Sequence, residues 1–220
     1  MKIMIATPCA YNKADIEYVS SVVETVRLGE QRGIGIYPVF IGNDALIQRC
    51  RNDLVKMAIE CDVDAMIFID ADMEWNPEWV MSLIRREEDV VGGTARKKTD
   101  SAEMYAVKVR DTTIHENGLI KCDGIGTGFL KLSKKAINAV WESSEPYMCQ
   151  RGESRMVFDV RIVDGEIWSE DIILCDKLRK AGFDIWLDPQ MTCGHVGTKK
   201  FVGNLFEFIK KINNNKHENN

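Results

Sequence analysis

Residues 63–70, VDAMIFID, are apolar at nearly every position. A strand with one wet face alternates, so a run without alternation reads as a strand covered on both faces, the situation of a mostly parallel sheet flanked by helices. KIMIATP at 2–8, IGIYPVFI at 34–41, DVVGGTAR at 89–96 and FDIWLDP at 183–189 are further strand candidates. Between the first of these lie helical patterns. Ile16, Val19, Val23 and Val26, spaced by three and four, predict the apolar face of a helix over 14–29 that ends between Gly29 and Gly33. Leu46, Leu54, Met57 and Ala58 mark a second amphipathic helix after Gly42-Asn43-Asp44. Strand–helix–strand–helix–strand is an α/β layout.

Farther along, Asn76-Pro77 supply N-cap and N1 chemistry for a helix carrying Trp79, Val80, Leu83 and Ile84. KCDGIGTGFLKLS at 121–133 is a Gly-rich segment leading into a strand, and Ser133 opens a helix over 134–142. Asp164-Gly165 predicts a tight hairpin turn, and Ser169 opens a helix over 170–181 that stops at Gly182. The interval 97–118 is polar and receives no element, 143–156 reads as a polar loop, and the tail NNNKHENN reads as solvated and disordered. A length of 220 residues suits one core of ordinary size rather than two. The expectation is a single domain over 1–203, followed at 204–220 by a helix end and the tail.

Composition removes several function classes. With 45% hydrophobic and 29% charged residues, the chain is neither disordered nor fibrous. Its 29 Lys+Arg against 34 Asp+Glu leave a net charge of -5, no footprint for nucleic acid, although Arg96-Lys97-Lys98 form a local basic patch. No run approaches the roughly 20 apolar residues of a membrane span, and the first apolar run is too short for a secretory signal. Seven cysteines, odd in number and without a CxxC pair, predict reduced thiols in a cytosol-like compartment.

Chemistry concentrates at four places. Asp70-Ala71-Asp72 ends the most apolar strand, and ligands of α/β sheets bind beyond the carboxyl ends of strands. Carboxylates two residues apart on an extended chain project to one side and can share a divalent cation, with hard oxygens suited to Mg²⁺ or Mn²⁺. They would serve equally as caps for the following helix. Glu170-Asp171 occupy the first turn of a helix, where carboxylates stabilise its positive end by about 0.3–1 kcal/mol. Their neighbours Ile167-Trp168 and Ile172-Ile173-Leu174 would also desolvate a carboxylate and strengthen it as a base. His195 follows the last core strand between Gly194 and Gly197, and Lys199 and Lys200 could reach phosphate oxygens. Gly124-Ile125-Gly126-Thr127-Gly128 runs into a strand rather than a helix, which excludes a dinucleotide fingerprint and leaves a bend that a ligand can approach closely.

In that order the DxD, the Gly-rich loop, the Glu-Asp pair and the histidine resemble the four core motifs of GT-A fold glycosyltransferases. RCRNDLVKMAIECDVDAMIFIDADMEW, SEDIILCDKLRKAGFDIWLDP and GHVG resemble small bacterial and viral family 2-like members that use nucleotide sugars, and the resemblance covers residues 2–203. It implies a GT-A type, Rossmann-like, mostly parallel sheet flanked by helices, with a small antiparallel subsheet on the acceptor side. It further implies a nucleotide-diphosphate sugar donor, a UDP-sugar first among them, and a glycan or other hydroxyl acceptor. Mn²⁺ or Mg²⁺ would be held by Asp70, Asp72 and His195. Thr7, Pro8, Arg49, Arg51, Asp70, Ala71, Gly126 and Lys199 would contact the donor. Asp171 would act as base and Glu170 would orient it, with inversion at the anomeric carbon and a location in the cytoplasm, or the host cytoplasm for a viral chain. Retention is the mechanistic rival. Among other classes, a nucleotidylyltransferase would show a Gly-rich, Arg-containing signature where this chain has Ala6-Thr7-Pro8-Cys9, and a non-catalytic sugar-nucleotide or carbohydrate binding module is the remaining alternative. The segments 97–118 and 143–166 depart from the family and leave the acceptor open.

Overall fold

The computed structural model describes residues 1–218 except 101, 150, 198 and 199. β1 (Lys2–Cys9) is flanked in parallel register by β2 (Gly35–Gly42) and β3 (Ala65–Ile69), with Ile3 opposite both Ile36 and Ala65. α1 (Ile16–Gln31) and α2 (Ile47–Glu60) make the two crossovers. β4 (Met73–Glu74), α3 (Pro77–Arg85) and β5 (Val90–Ala95) follow, then the short strands β6 (Val107–Lys108), β7 (Ile120–Cys122) and β8 (Gly124–Ile125). β9 (Phe129–Ser133), α4 (Lys134–Glu142), the hairpins β10 (Pro146–Cys149)–β11 (Gly152–Arg155) and β12 (Arg161–Val163)–β13 (Glu166–Trp168), α5 (Glu170–Lys180), β14 (Ile185–His195) and α6 (Leu205–Glu218) complete the chain.

The main sheet has the order β2-β1-β3-β9-β5-β14-β4, with β7 also paired to β14. β9 lies antiparallel between β3 and β5, and β5 is parallel to β14, so β2, β1, β3, β5 and β14 all point one way. This is the mostly parallel α/β sheet that the apolar runs predict, with small antiparallel sheets beside it. β3 is buried at every position. Its Met66 and Phe68 enter a core shared with Leu54, Leu130 and Leu174, while Ile67 and Ile69 enter a second core with Tyr18, Trp75 and Val80. Each such side chain contributes about 1.5–3 kcal/mol by leaving water.

Several expectations need correction. α1 buries Tyr18, Ser21, Val22, Thr25 and Gly29, whereas Ile16, Val19 and Val23 are exposed. Polar groups with partners decide that face: Tyr18 shares a hydrogen bond with Thr7, and Thr25 Oγ1 accepts from the Trp75 indole at 2.9 Å. The polar stretch 143–156 contains the β10–β11 hairpin, whose mostly half-buried or exposed strands have no apolar alternation to announce them. β14 continues to His195 past Pro189, because its register against β5 shifts between Leu187 and Thr192. Helical backbone reaches Glu218, into the tail expected to be disordered. Among the described residues no helix is long and apolar enough to cross a membrane.

Candidate active site

The Asp70-Ala71-Asp72 turn is held from three sides by backbone hydrogen bonds. Asp70 N–H donates to Gly128 O at 3.2 Å, Asp15 N–H donates to Ala71 O at 2.9 Å, and Val196 N–H donates to Asp72 O at 2.8 Å. The Gly-rich bend, the start of α1 and the end of β14 therefore meet at the carboxyl end of β3. A Cβ on residue 128 would lie 3.2 Å from Asp70 Oδ2, so glycine there admits the carboxylate.

Arg51 is the hub of one half of the site. Its side chain rises from α2 and is 5% exposed; Nη2 donates to Asp70 Oδ1 at 2.9 Å, and Nη1 donates to Glu170 Oε1 at 2.7 Å and to Asp171 Oδ1 at 2.9 Å. The guanidinium carbon sits 5.7 Å from the Phe158 ring centroid. Burial by itself would weaken this cation, but the charges of Asp70, Asp171 and Glu170 outweigh burial and hold its proton more tightly than usual. Asp171 shows the opposite balance. Burial raises its pKa above the ordinary carboxylate value, against the lowering pull of Arg51 and of Thr127, whose hydroxyl donates to Oδ1 at 2.5 Å.

The other half gathers around Asp72. Lys98 Nζ donates to Asp72 Oδ2 at 2.5 Å, and His195 Nε2 lies 3.4 Å from the same oxygen. Burial pushes the Asp72 carboxyl up, yet His195 and Lys98 together bring its pKa down to about 2. His195 reaches this place because the last residues of β14 pair with β4, His195 opposite Met73. Between the two halves opens a cleft of about 430 Å³, lined by Pro8, Lys13, Arg51, Ala71, Asp72 and Lys98 among others.

The fold is GT-A-like. Its likeness extends over 93% of this chain and 95% of A197 from STIV, with a TM-score of 0.57 at 15% sequence identity. A glycosyltransferase involved in the glycosylation of the major capsid of PBCV-1 gives a TM-score of 0.37 at 15% identity, over 64% of this chain and 66% of that one. CMP:2-keto-3-deoxy-manno-octonic acid synthetase complexed with CTP gives 0.46 at 12% identity over the whole of both chains. No family model and no curated protein matches the sequence.

Within this GT-A-like frame the residues singled out by the sequence divide. Pro8, Arg51, Asp70, Ala71 and Asp72 line one cleft, and Gly126 stands beside Asp171, 3.8 Å from its Oδ2 to a Cβ built on the glycine. Asp70 turns to Arg51, so among the described residues no group of three or more His, Cys, Asp and Glu side chains is gathered as a metal site. Thr7 is fully buried against Tyr18, and its side chain serves the core. Arg49 chelates Asp44, with Nε 2.9 Å from Oδ2 and Nη2 2.7 Å from Oδ1, and lines a separate groove with Tyr147 and Asp159. Lys199 lies outside the described residues, and Lys200 pairs with Glu74. The sequence marks neither Thr127 nor Lys98 for the site. Thr127 stands inside the Gly-rich run, where the glycines draw the attention, and Lys98 stands in an irregular segment whose only sequence signal is its charge.

Proposed function

We propose that this chain transfers a sugar from a nucleotide-diphosphate sugar to an acceptor hydroxyl, with Asp171 as general base and inversion at the anomeric carbon. The observation that carries the reading is the Arg51 guanidinium, which lines the cleft beside Asp70 of the DxD turn and ties that carboxylate to Glu170 and Asp171. A donor site and a proton acceptor are thereby kept at fixed separation on rigid elements, as group transfer needs.

Both bonds to Asp171, from Arg51 and from Thr127, fall on Oδ1. Oδ2 receives neither bond and becomes the atom to take the acceptor's proton as the acceptor oxygen attacks the sugar. Burial makes that oxygen a stronger base than a solvated carboxylate, while Arg51 favours its ionised form. Glu170 shares Nη1 of Arg51 and fixes the guanidinium from the other side. The donor lies along Pro8, Lys13 and Ala71, with its diphosphate toward Asp72 and Lys98.

Asp72 and His195 fit a divalent cation. His195 Nδ1 is 2.9 Å from the Arg96 carbonyl, which only accepts, so Nδ1 carries hydrogen and a neutral ring offers its Nε2 lone pair toward a carboxylate oxygen. Those two side chains would hold Mn²⁺ or Mg²⁺ with phosphate oxygens completing the shell, and such an ion supplies neutralisation of the departing diphosphate. A UDP-sugar is the first donor to try, and seven unpaired cysteines agree with a reducing cytoplasm.

Thermal-shift screening of nucleotide sugars with Mn²⁺ identifies the donor by mass-action stabilisation. Hydrolysis of that donor without acceptor, and the anomeric configuration of transfer products by NMR, test the rest. Binding without hydrolysis or transfer to any acceptor offered would leave a binding module, and a retained configuration would remove Asp171 from the role of base.

A further inference from the structure

Lys98 holds the carboxylate oxygen that a cation shared with His195 would need. Its ammonium is 2.5 Å from Asp72 Oδ2, the same oxygen that faces His195 Nε2 at 3.4 Å. Metal–ligand distances of about 2.0–2.2 Å place neighbouring ligand atoms about 3 Å apart around one ion, so Oδ2 and Nε2 suit a common cation and the ammonium competes for that position. The backbone that delivers Lys98 is pinned: Arg96 bridges Tyr105, Lys97 N–H donates to Met104 O at 2.8 Å, and the Arg96 carbonyl holds the His195 ring. Leaving Asp72 therefore requires only a change of Lys98 rotamer, and His195 keeps its orientation meanwhile. Lys98 also lines the cleft assigned to the donor, which gives its ammonium an alternative partner in a phosphate oxygen.

We propose that Lys98 is a resident counter-ion that holds the cation position on Asp72 until the donor's diphosphate draws it away, so that metal and nucleotide load together. The inference rests on the donor reading above. With Lys98 in place, Asp72 presents almost no net charge to an incoming dication. Transfer of the ammonium to phosphate restores the carboxylate and offsets part of the phosphate charge. Metal and diphosphate thus each improve binding of the other, which is a coupling between two ligands through one side chain.

The test is Mn²⁺ binding followed by the electron paramagnetic resonance signal of free Mn²⁺, first with Mn²⁺ alone and then with uridine, guanosine or cytidine diphosphate, corrected for chelation by each nucleotide. Lys98→Met is expected to bind Mn²⁺ alone roughly fivefold more tightly than the unaltered protein, the worth of one partly exposed ion pair. Its enhancement by diphosphate is expected to shrink, and Lys98→Arg to keep the original pattern. A merely structural lysine would give the opposite sign, weaker Mn²⁺ binding in Lys98→Met. Equal affinity for Mn²⁺ alone in the unaltered protein and Lys98→Met overturns the inference and leaves the donor reading standing if diphosphate still promotes Mn²⁺ binding. Absence of any diphosphate-promoted Mn²⁺ binding in the unaltered protein overturns both.

Discussion

Arg51 Nη1 lies 2.9 Å from Asp171 Oδ1, joining α2 to the first turn of α5 across 120 positions of sequence. The same nitrogen serves Glu170, and the neighbouring one serves Asp70. The carboxylates that would carry the chemistry are thus arranged by a cation in the wall of the cleft.

Removing that cation leaves three partly buried carboxylates facing one another. Arg51→Met is expected to cost about 3 kcal/mol or more, since breaking a buried ion pair from one side strands the other charges. Arg51→Lys should recover part of it, because one ammonium cannot span the forked contacts. Urea unfolding midpoints measure both, and an unchanged midpoint in Arg51→Met would show that the contacts contribute nothing to stability.

Asp171 titrates above the ordinary carboxylate range because of its burial, and Thr127 opposes that by bonding the ionised form. Thr127→Val should therefore move the acid limb of the transfer rate to higher pH, because the base stays protonated longer as pH rises. Asp171→Asn should remove the limb with the activity. For stability the sign is reversed relative to a salt-bridged carboxylate. A raised folded-state pKa favours folding most below the unfolded value, and that contribution is lost as pH rises through the folded one. A pH–rate profile of Thr127→Val that shifts downward or not at all contradicts this account of the base.

Gly92 in β5 permits a close strand contact: a Cβ there would stand 2.4 Å from Phe129 O and 3.2 Å from Leu130 Cα. Backbone cannot swing aside as a side chain can. Gly92→Ala is expected to destabilise by about 1–3 kcal/mol, as overpacking of a tight interior does. Since β9 leads directly from the Gly-rich bend, donor binding should weaken as well; calorimetry and thermal unfolding on the same preparation check both expectations.

Much of the fold is legible in the chain because burial leaves a pattern. β3 shows its two covered faces in VDAMIFID, Asn76 accepts from Glu78 N–H as an N-cap, Ser133 accepts from Ala136 N–H at the start of α4, and Asp164-Gly165 take the positive φ values of 52° and 82° that a tight hairpin asks for. The buried face of α1 is not legible, since it is chosen by Tyr18, Ser21 and Thr25 finding polar partners on other elements rather than by hydrophobicity. The site behaves likewise. Motif order points to Asp70, Asp72 and Asp171, but the pairing of Arg51 with Asp70, Glu170 and Asp171, and of Arg49 with Asp44 away from them, depends on how α2 is rotated. Beyond the charge of the Arg96-Lys97-Lys98 patch, Lys98 gives no pattern, because an irregular segment is positioned by single hydrogen bonds that have no periodicity.

Asp72 serves the donor and Asp171, joined to the same turn through Arg51 and Asp70, serves the acceptor's proton. Calorimetric titration of the donor with Mn²⁺ into Asp72→Ala and Asp171→Asn, paired with a transfer assay on each, separates the two duties. The expected result is lost metal-dependent donor binding in Asp72→Ala, and retained binding with abolished transfer in Asp171→Asn. Unaltered donor affinity in Asp72→Ala, or transfer persisting in Asp171→Asn, would contradict it.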